Sequence, residues 1–179
     1  SRTTSTRLLA DTLAAMTPRP AAMICASGIS VYADDGRPQD ESSPAIGTGF
    51  LGQVVREWEA AADPARAAGI RVTHLRLGVV LSPEGGALGK LAPLFRCGLG
   101  GPVGGGRMAF PWIAIDDVLE LFHRAAMDPA FAGVINGVAP AAVDNAHFTR
   151  ALARVMRRPA IMPLPRIAVL ALFGQMGKE

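Results

Sequence analysis

Ala21-Ala22-Met23-Ile24-Cys25-Ala26 is a short apolar run that no polar residue interrupts. A strand with one wet face alternates apolar and polar side chains. A run without alternation, placed after a helix, predicts a buried strand of a parallel sheet. The helix before it carries Leu9, Leu13 and Met16 on one stripe, with Leu8 beside them, and stops at Thr17-Pro18-Arg19-Pro20. Downstream, residues 33–48 are rich in Asp, Gly, Pro and Ser and predict a long loop. An amphipathic helix then starts near Thr48, its expected N-cap, with Leu51, Val54, Val55, Trp58 and Ala62 on one face.

Past Gly69, Arg71-Val72-Thr73-His74-Leu75-Arg76-Leu77 is the second strand. Gly85-Gly86 opens a short helix through Leu94, a glycine-rich loop follows from Gly98 to Gly106, and Trp112-Ile113-Ala114-Ile115 is strand-like. Asp116 or Asp117 caps a helix with Val118, Leu121, Phe122 and Ala125 on one face. Val134 to Val138 is a strand, Asp144 or Asn145 caps a helix striped by Phe148, Leu152 and Val155, and a last helix starts near Arg166. Helices and strands alternate almost throughout, which predicts an α/β fold: a mostly parallel sheet with flanking helices.

Composition narrows the function classes. The chain has 179 residues, half of them hydrophobic, enough for one sizeable core. Eighteen Lys and Arg against fifteen Asp and Glu leave a net charge of +3. The tightest basic cluster, Arg154, Arg157 and Arg158, reads as a solvated helix face, and no aromatics are interleaved with it. No nucleic-acid partner is expected. The longest apolar run near the C-terminus, Ile167 to Phe173, is too short to span a bilayer, so no membrane partner is expected either. The opening residues lead straight into a helical pattern and carry no signal-peptide pattern. Cys25 and Cys97 fit no zinc spacing and read as free buried thiols, which suits the cytoplasm. His74, His123 and His147 are far apart, so no metal is expected.

Two constellations invite a chemical reading. Gly98-x-x-Gly101-x-x-Gly104 has the spacing of a dinucleotide phosphate loop. Such a loop must follow a strand and open a helix, so that the helix N-terminus meets the pyrophosphate. Here a helix precedes and a strand follows, and Pro102 with the glycines at 104 to 106 predicts a mobile substrate-side loop or connector. The second is Ser27-Gly28-Ile29-Ser30-Val31-Tyr32, just past the end of the first strand, where α/β folds place ligands. Ser27 can donate to a ligand carbonyl or carboxamide, or Ser27 and Ser30 can simply satisfy the turn backbone. Arg76, set among apolar strand residues, calls for a carboxylate partner. His74 reads as a satisfied strand residue and Trp58 as core, while Glu59 is open between a network and water.

The Ser27 to Tyr32 stretch resembles the Ser-x-x-Val-Tyr-Gly segment of extended short-chain dehydrogenases and nucleotide-sugar epimerases. Further blocks resemble the atypical, epimerase-like short-chain dehydrogenase/reductase family, whose members are described as NAD-dependent epimerase/dehydratase proteins. These blocks are Gly49-Phe50-Leu51 through Trp58-Glu59, Leu75 through Leu81 with Gly85-Gly86-Ala87-Leu88, Trp112 through Asp117, and Phe148 through Leu152. Arg158-Pro159, Pro163-Leu164-Pro165 and Phe173-Gly174-Gln175-Met176 complete the ordered set. The resemblance implies a Rossmann-like fold that binds NADP or NAD. It implies catalytic Ser27 and Tyr32, and cofactor contacts from Ser27, Leu77, Gly78 and Val79. It implies that the first βαβ unit lies upstream of Ser1, that residues 1–165 are the later part of the dinucleotide-binding domain, and that residues 166–179 begin a small helical one.

The chain departs from the superfamily pattern in two places. A Tyr-x-x-x-Lys pair does the proton work in ordinary members, with the lysine tuning the tyrosine. Here the only tyrosine is Tyr32, Gly36 stands four residues on, the lysines are Lys90 and Lys178, and Val54 or Val55 stands where the lysine would be. Ala114 replaces a histidine usual in the Trp-Ile-His block. Two functions stay open. One is an NAD(P)-dependent oxidoreductase or epimerase acting on a small polar substrate, nucleotide-sugar-like molecules among them. The other is a dinucleotide-binding sensor or scaffold without turnover. Homo-oligomers or aggregation through an uncovered sheet edge are expected.

Overall fold

The computed structural model describes residues 1–160 apart from residues 34, 104 and 142. The helix expected from Arg166, and the small domain expected over 166–179, lie outside the described residues. In chain order the elements are α1 (Arg2–Ala15), β1 (Ala22–Gly28), α2 (Phe50–Ala60), α3 (Asp63–Ala67), β2 (Arg71–Leu77) and β3 (Val79–Ser82). They continue with α4 (Gly86–Arg96), β4 (Trp112–Ala114), α5 (Ile115–Met127), β5 (Gly133–Gly137) and α6 (Asn145–Met156). Among the described residues no helix is long and apolar enough to cross a membrane. The described residues divide into two compact units, Ser1–Gly78 with Asp116–Gly137, and Val79–Ile115 with residues 138–160.

The first unit holds a parallel three-stranded sheet in the order β1-β2-β5. Central β2 is buried over five successive residues, as a strand covered on both faces must be. β1 is buried only at Met23, Cys25 and Ser27. The expectation of a strand buried on both faces therefore fails for β1, which lies on the outside of this sheet. Met23, Cys25 and Val72 on one face pack with Ala10 of α1, Ala62, Ala65 of α3 and Ile70. Small alanines let the helices sit close on the sheet.

Local chemistry explains the element ends. α1 buries Ala10 and half-buries Thr3, Thr6 and Leu13, while Leu9 and Met16 of the expected stripe are 50% and 46% exposed. The stripe is rotated because Trp58 donates its indole N–H to Thr6 at 2.8 Å, a polar contact that hydrophobic periodicity cannot register. α2 is capped at Gly49, not Thr48, with no side-chain bond. Gly47 and Gly52 let α2 press on the chain after β1: a Cβ on Gly52 would lie 2.5 Å from the Gly47 carbonyl oxygen. α5 buries Val118 and Ala125 and half-buries Leu121 and Phe122, the face expected, while Asp116 and Asp117 lie in its first turn.

In the second unit, β3 and β4 form a separate parallel pair. β3 has no counterpart in the expected order, because Val79-Val80-Leu81 follows β2 with only Gly78 as punctuation. Asp144 caps α6, its carboxylate accepting the His147 backbone N–H at 2.6 Å. α6 buries Asn145 and Thr149, whereas Val155 of the expected stripe is 80% exposed. The glycine-rich segment is closely packed at Gly100 and Gly106 and open at Gly98 and Gly105. A Cβ on Gly100 would lie 2.6 Å from the Phe95 ring, one on Gly106 2.8 Å from Ala146, and Asn145 accepts the Val103 N–H at 2.7 Å. Cys25 is a free buried thiol as expected, but Cys97 is exposed, since it follows the last turn of α4.

Candidate functional site

Strand register assembles the polar site. Ser27 of β1 pairs with Arg76 of β2, and Arg76 with Asn136 of β5, so the three lie abreast in one row. Side chains of paired residues in a parallel ladder leave the sheet on the same face. α2 lays Glu59 over this row. The Ser27 hydroxyl donates to Glu59 Oε1 at 2.6 Å, and Arg76 donates through Nε to Oε1 and through Nη2 to Oε2, each at 2.8 Å. The third arginine nitrogen, Nη1, donates to the Tyr32 hydroxyl oxygen at 2.9 Å, and that hydroxyl donates to Asn136 Oδ1 at 2.8 Å. The Asn136 backbone N–H is taken by the Glu41 carboxylate at 2.7 Å.

Both charges of the row are held charged. Burial alone would raise the Glu59 carboxyl, but the hydrogen bonds from Arg76 and Ser27, with the charges of Arg76 and His74, bring it below its ordinary value. The bond to Glu59 raises the Arg76 guanidinium above its ordinary value against the cost of burial. One row deeper, His74 is 2% exposed beside Cys25. Arg66 Nη2 lies 3.3 Å from His74 Nε2, and an arginine only donates, so Nε2 is the acceptor and the ring is neutral. Burial lowers the His74 pKa, with Arg66 and Arg76 pushing the same way against Glu59 and Asp63.

The carboxyl ends of the strands carry little side-chain bulk. Gly28, Leu77 and Gly137 lie abreast there, and Gly78 follows with its N–H on the Gly137 carbonyl at 3.0 Å. Val79 opens β3 and gives its N–H to the Pro111 carbonyl at 2.8 Å. Beyond Tyr32, the loop forms an open cleft of about 290 Å³ lined by Asp35, Arg37, Gln39 and Ser43 among others. Asp40 shapes this loop by accepting hydrogen bonds from Ser42 and Ser43.

Of the residues singled out from sequence, Ser27 and Tyr32 are joined through Glu59 and Arg76, and Leu77 and Gly78 stand at the adjoining strand end. Arg76 has the carboxylate it required. Asn136 and the part played by Glu59 went unread. Glu59 lies 17 residues from Arg76 and 32 from Ser27, and Asn136 is 104 from Tyr32. The one usable signal was that a buried arginine obliges an acidic side chain somewhere. Gly98 and Gly101 follow α4 and precede β4, so they open no helix. Among the described residues no group of acidic, histidine and cysteine side chains could hold a metal.

An epimerase family protein of Mycobacterium bovis is 41% identical over 179 residues, which is 100% of this chain and 59% of that protein. The crystal structure of human epimerase family protein SDR39U1 with NADPH matches with a TM-score of 0.89 and 37% identity, over 98% of this chain and 59% of that one. The chain belongs to the epimerase family of short-chain dehydrogenase/reductase-like proteins. A second family structure, a nucleoside-diphosphate sugar epimerase from Corynebacterium glutamicum, matches with a TM-score of 0.75 and 37% identity, over 99% of this chain and 40% of that one. No family model matches. The chain spans about 59% of the length of the curated epimerase family relatives it matches. Its parallel sheet with flanking helices is the Rossmann-like arrangement that the family resemblance implies.

Proposed function

We propose that this chain supplies the nicotinamide side of an NADP or NAD site in an epimerase-family oxidoreductase, acting on a small polar substrate. The observation that carries this reading is the carboxyl end of the three-stranded sheet. Gly28, Gly78 and Gly137 contribute no side chain there and Leu77 contributes one, next to the hydrogen-bonded row of Ser27, Arg76 and Asn136, with Val55 packed beside Gly28 and Gly137 buried. Glycines at strand ends admit a flat ring against the backbone, and α/β folds bind ligands there. Leu77, Gly78 and Val79 are the cofactor contacts, with Ser27 behind them. Ser27 and Tyr32 are the catalytic residues of this reading: Tyr32 faces the reacting group, and Ser27 holds the carboxylate that orders the row. A bound nicotinamide would supply the hydride chemistry. The NADPH in the human relative supports the cofactor class. Asp35, Arg37, Gln39 and Ser43, which share the lining of the loop cleft with Ala33, Pro38, Pro44 and Ile46, support a small substrate bearing polar groups, of the nucleotide-sugar kind named for the Corynebacterium relative.

A dinucleotide sensor without turnover is the second reading. It is favoured by the hydroxyl protons of Ser27 and Tyr32, both spent inside the protein, and by Val54 or Val55 on α2 where a lysine would stand. Calorimetric titration with NADPH and with NADH tests the shared core. Saturable binding that the Gly78→Val variant weakens about tenfold is expected, a loss of roughly 1.4 kcal/mol. Absence of binding by either nucleotide, both to this chain and to a protein that also carries the phosphate-binding βαβ unit, overturns both readings. Substrate-dependent loss of NADPH absorbance then separates enzyme from sensor.

A further inference from the structure

We propose that Arg76 is a positioning residue, clamped by Glu59, that fixes the Tyr32 hydroxyl at the carboxyl end of the sheet. The proposal rests on the dinucleotide reading above and assigns the residues that orient its one phenol.

A guanidinium is planar, so two bonds to one carboxylate fix its plane and leave the direction of its last nitrogen no freedom. In this chain Nε and Nη2 both sit on Glu59 at 2.8 Å, and Nη1 is thereby aimed at Tyr32, 2.9 Å away. Arg76 is 5% exposed on the central strand, so its backbone cannot drift. Ser27 adds a further bond to Glu59 at Oε1, and Glu59 lies near the end of α2, the helix that Gly52 seats at its start. The Tyr32 ring also lies with its centroid 5.0 Å from the guanidinium carbon. Asn136 Oδ1 accepts the hydrogen bond from the phenol, so the hydroxyl is held from two strands at once. A buried ion pair is weak grounds for stability, because hydrophobic replacements often do as well. An ion pair with its third nitrogen on a tyrosine at the ligand end of the sheet has a use beyond stability.

Lysine distinguishes the two roles. It restores a positive charge opposite Glu59 but cannot hold a carboxylate with two nitrogens and a phenol with a third. The protein has a single tyrosine, so every signal of a tyrosine-labelled sample belongs to Tyr32. The test is the Tyr32 hydroxyl proton followed by nuclear magnetic resonance, together with NADPH affinity, in the wild type, Arg76→Lys and Glu59→Gln. The expected result is a hydroxyl proton protected from solvent exchange in the wild type and lost in both variants. The strand amide pattern stays intact, and NADPH binding weakens about tenfold. Should Arg76→Lys fail to fold, Glu59→Gln and the wild-type proton alone still decide.

A wild-type hydroxyl exchanging as freely as a phenol in water overturns the proposal. So does an Arg76→Lys protein that keeps both the protected proton and wild-type affinity, or one that loses the proton without any change in affinity. If no protein binds NADPH but the proton follows the variants as expected, Arg76 still positions Tyr32 and only the dinucleotide reading falls.

Discussion

Arg76 and His74 stand two residues apart on the same face of β2, and burial treats them oppositely. Arg76 stays charged because Glu59 meets it with both oxygens. His74 meets Arg66, another cation, and stays neutral. Burial, with Arg66 and Arg76 adding to it, lowers its pKa in the fold from the value of 6.5 that an exposed histidine has. The sign of the linkage follows. Below about pH 6.5 the unfolded chain takes up a proton that the folded chain refuses, so stability falls with pH until the folded pKa is passed. Above that range His74 is neutral in both states and contributes no pH dependence. Denaturant unfolding at neutral and mildly acidic pH should show this loss, and His74→Gln should flatten it. An unchanged slope in the variant would assign the acid sensitivity elsewhere. The requirement for an acid opposite Arg76 was legible from a charged side chain amid Val72 and Leu75. Which acid answered was not, because α2 and β2 meet only in three dimensions.

Elements were legible where one physical signal dominated. α5 buries the face its spacing indicated because nothing polar competes for that face. α6 begins at Asp144 because a carboxylate there satisfies an orphan N–H. α1 was legible only in part: Leu13 of its expected stripe packs against the core, but Leu9 and Met16 are exposed, and Ala10 and Thr6 make the remaining contacts. The glycine-rich segment shows how composition misleads. Glycine is read as freedom, but at Gly100 it is close packing, with the Phe95 ring where a Cβ would stand. Gly100→Ala should cost about 1–3 kcal/mol, the usual penalty for overpacking. Gly98→Asn, at a positive φ with open space around it, should cost far less. Thermal melts of the two variants check the contrast, and equal melting points would return the segment to a plain connector.

At the scale of the whole molecule, the two edges of the three-stranded sheet differ. β5 has its outward Asn136 N–H covered by Glu41, while among the described residues no further strand pairs with β1 on the side away from β2. Unpaired strand edges recruit other strands. The chain by itself should therefore self-associate with rising concentration, measured by light scattering, and a monodisperse monomer that melts cooperatively would count against it. The sequence by itself determined the α/β class, the helix–strand order apart from α3 and β3, the buried face of α5, the cap of α6, and the family. These depend on neighbours along the chain, whose periodicity and turn chemistry are printed in it. Only the tertiary structure decided the strand order β1-β2-β5, the row of Ser27, Arg76 and Asn136, and the Glu59 clamp that reaches Tyr32. Each of those depends on register between segments far apart in sequence, and register is set by packing that no local pattern records.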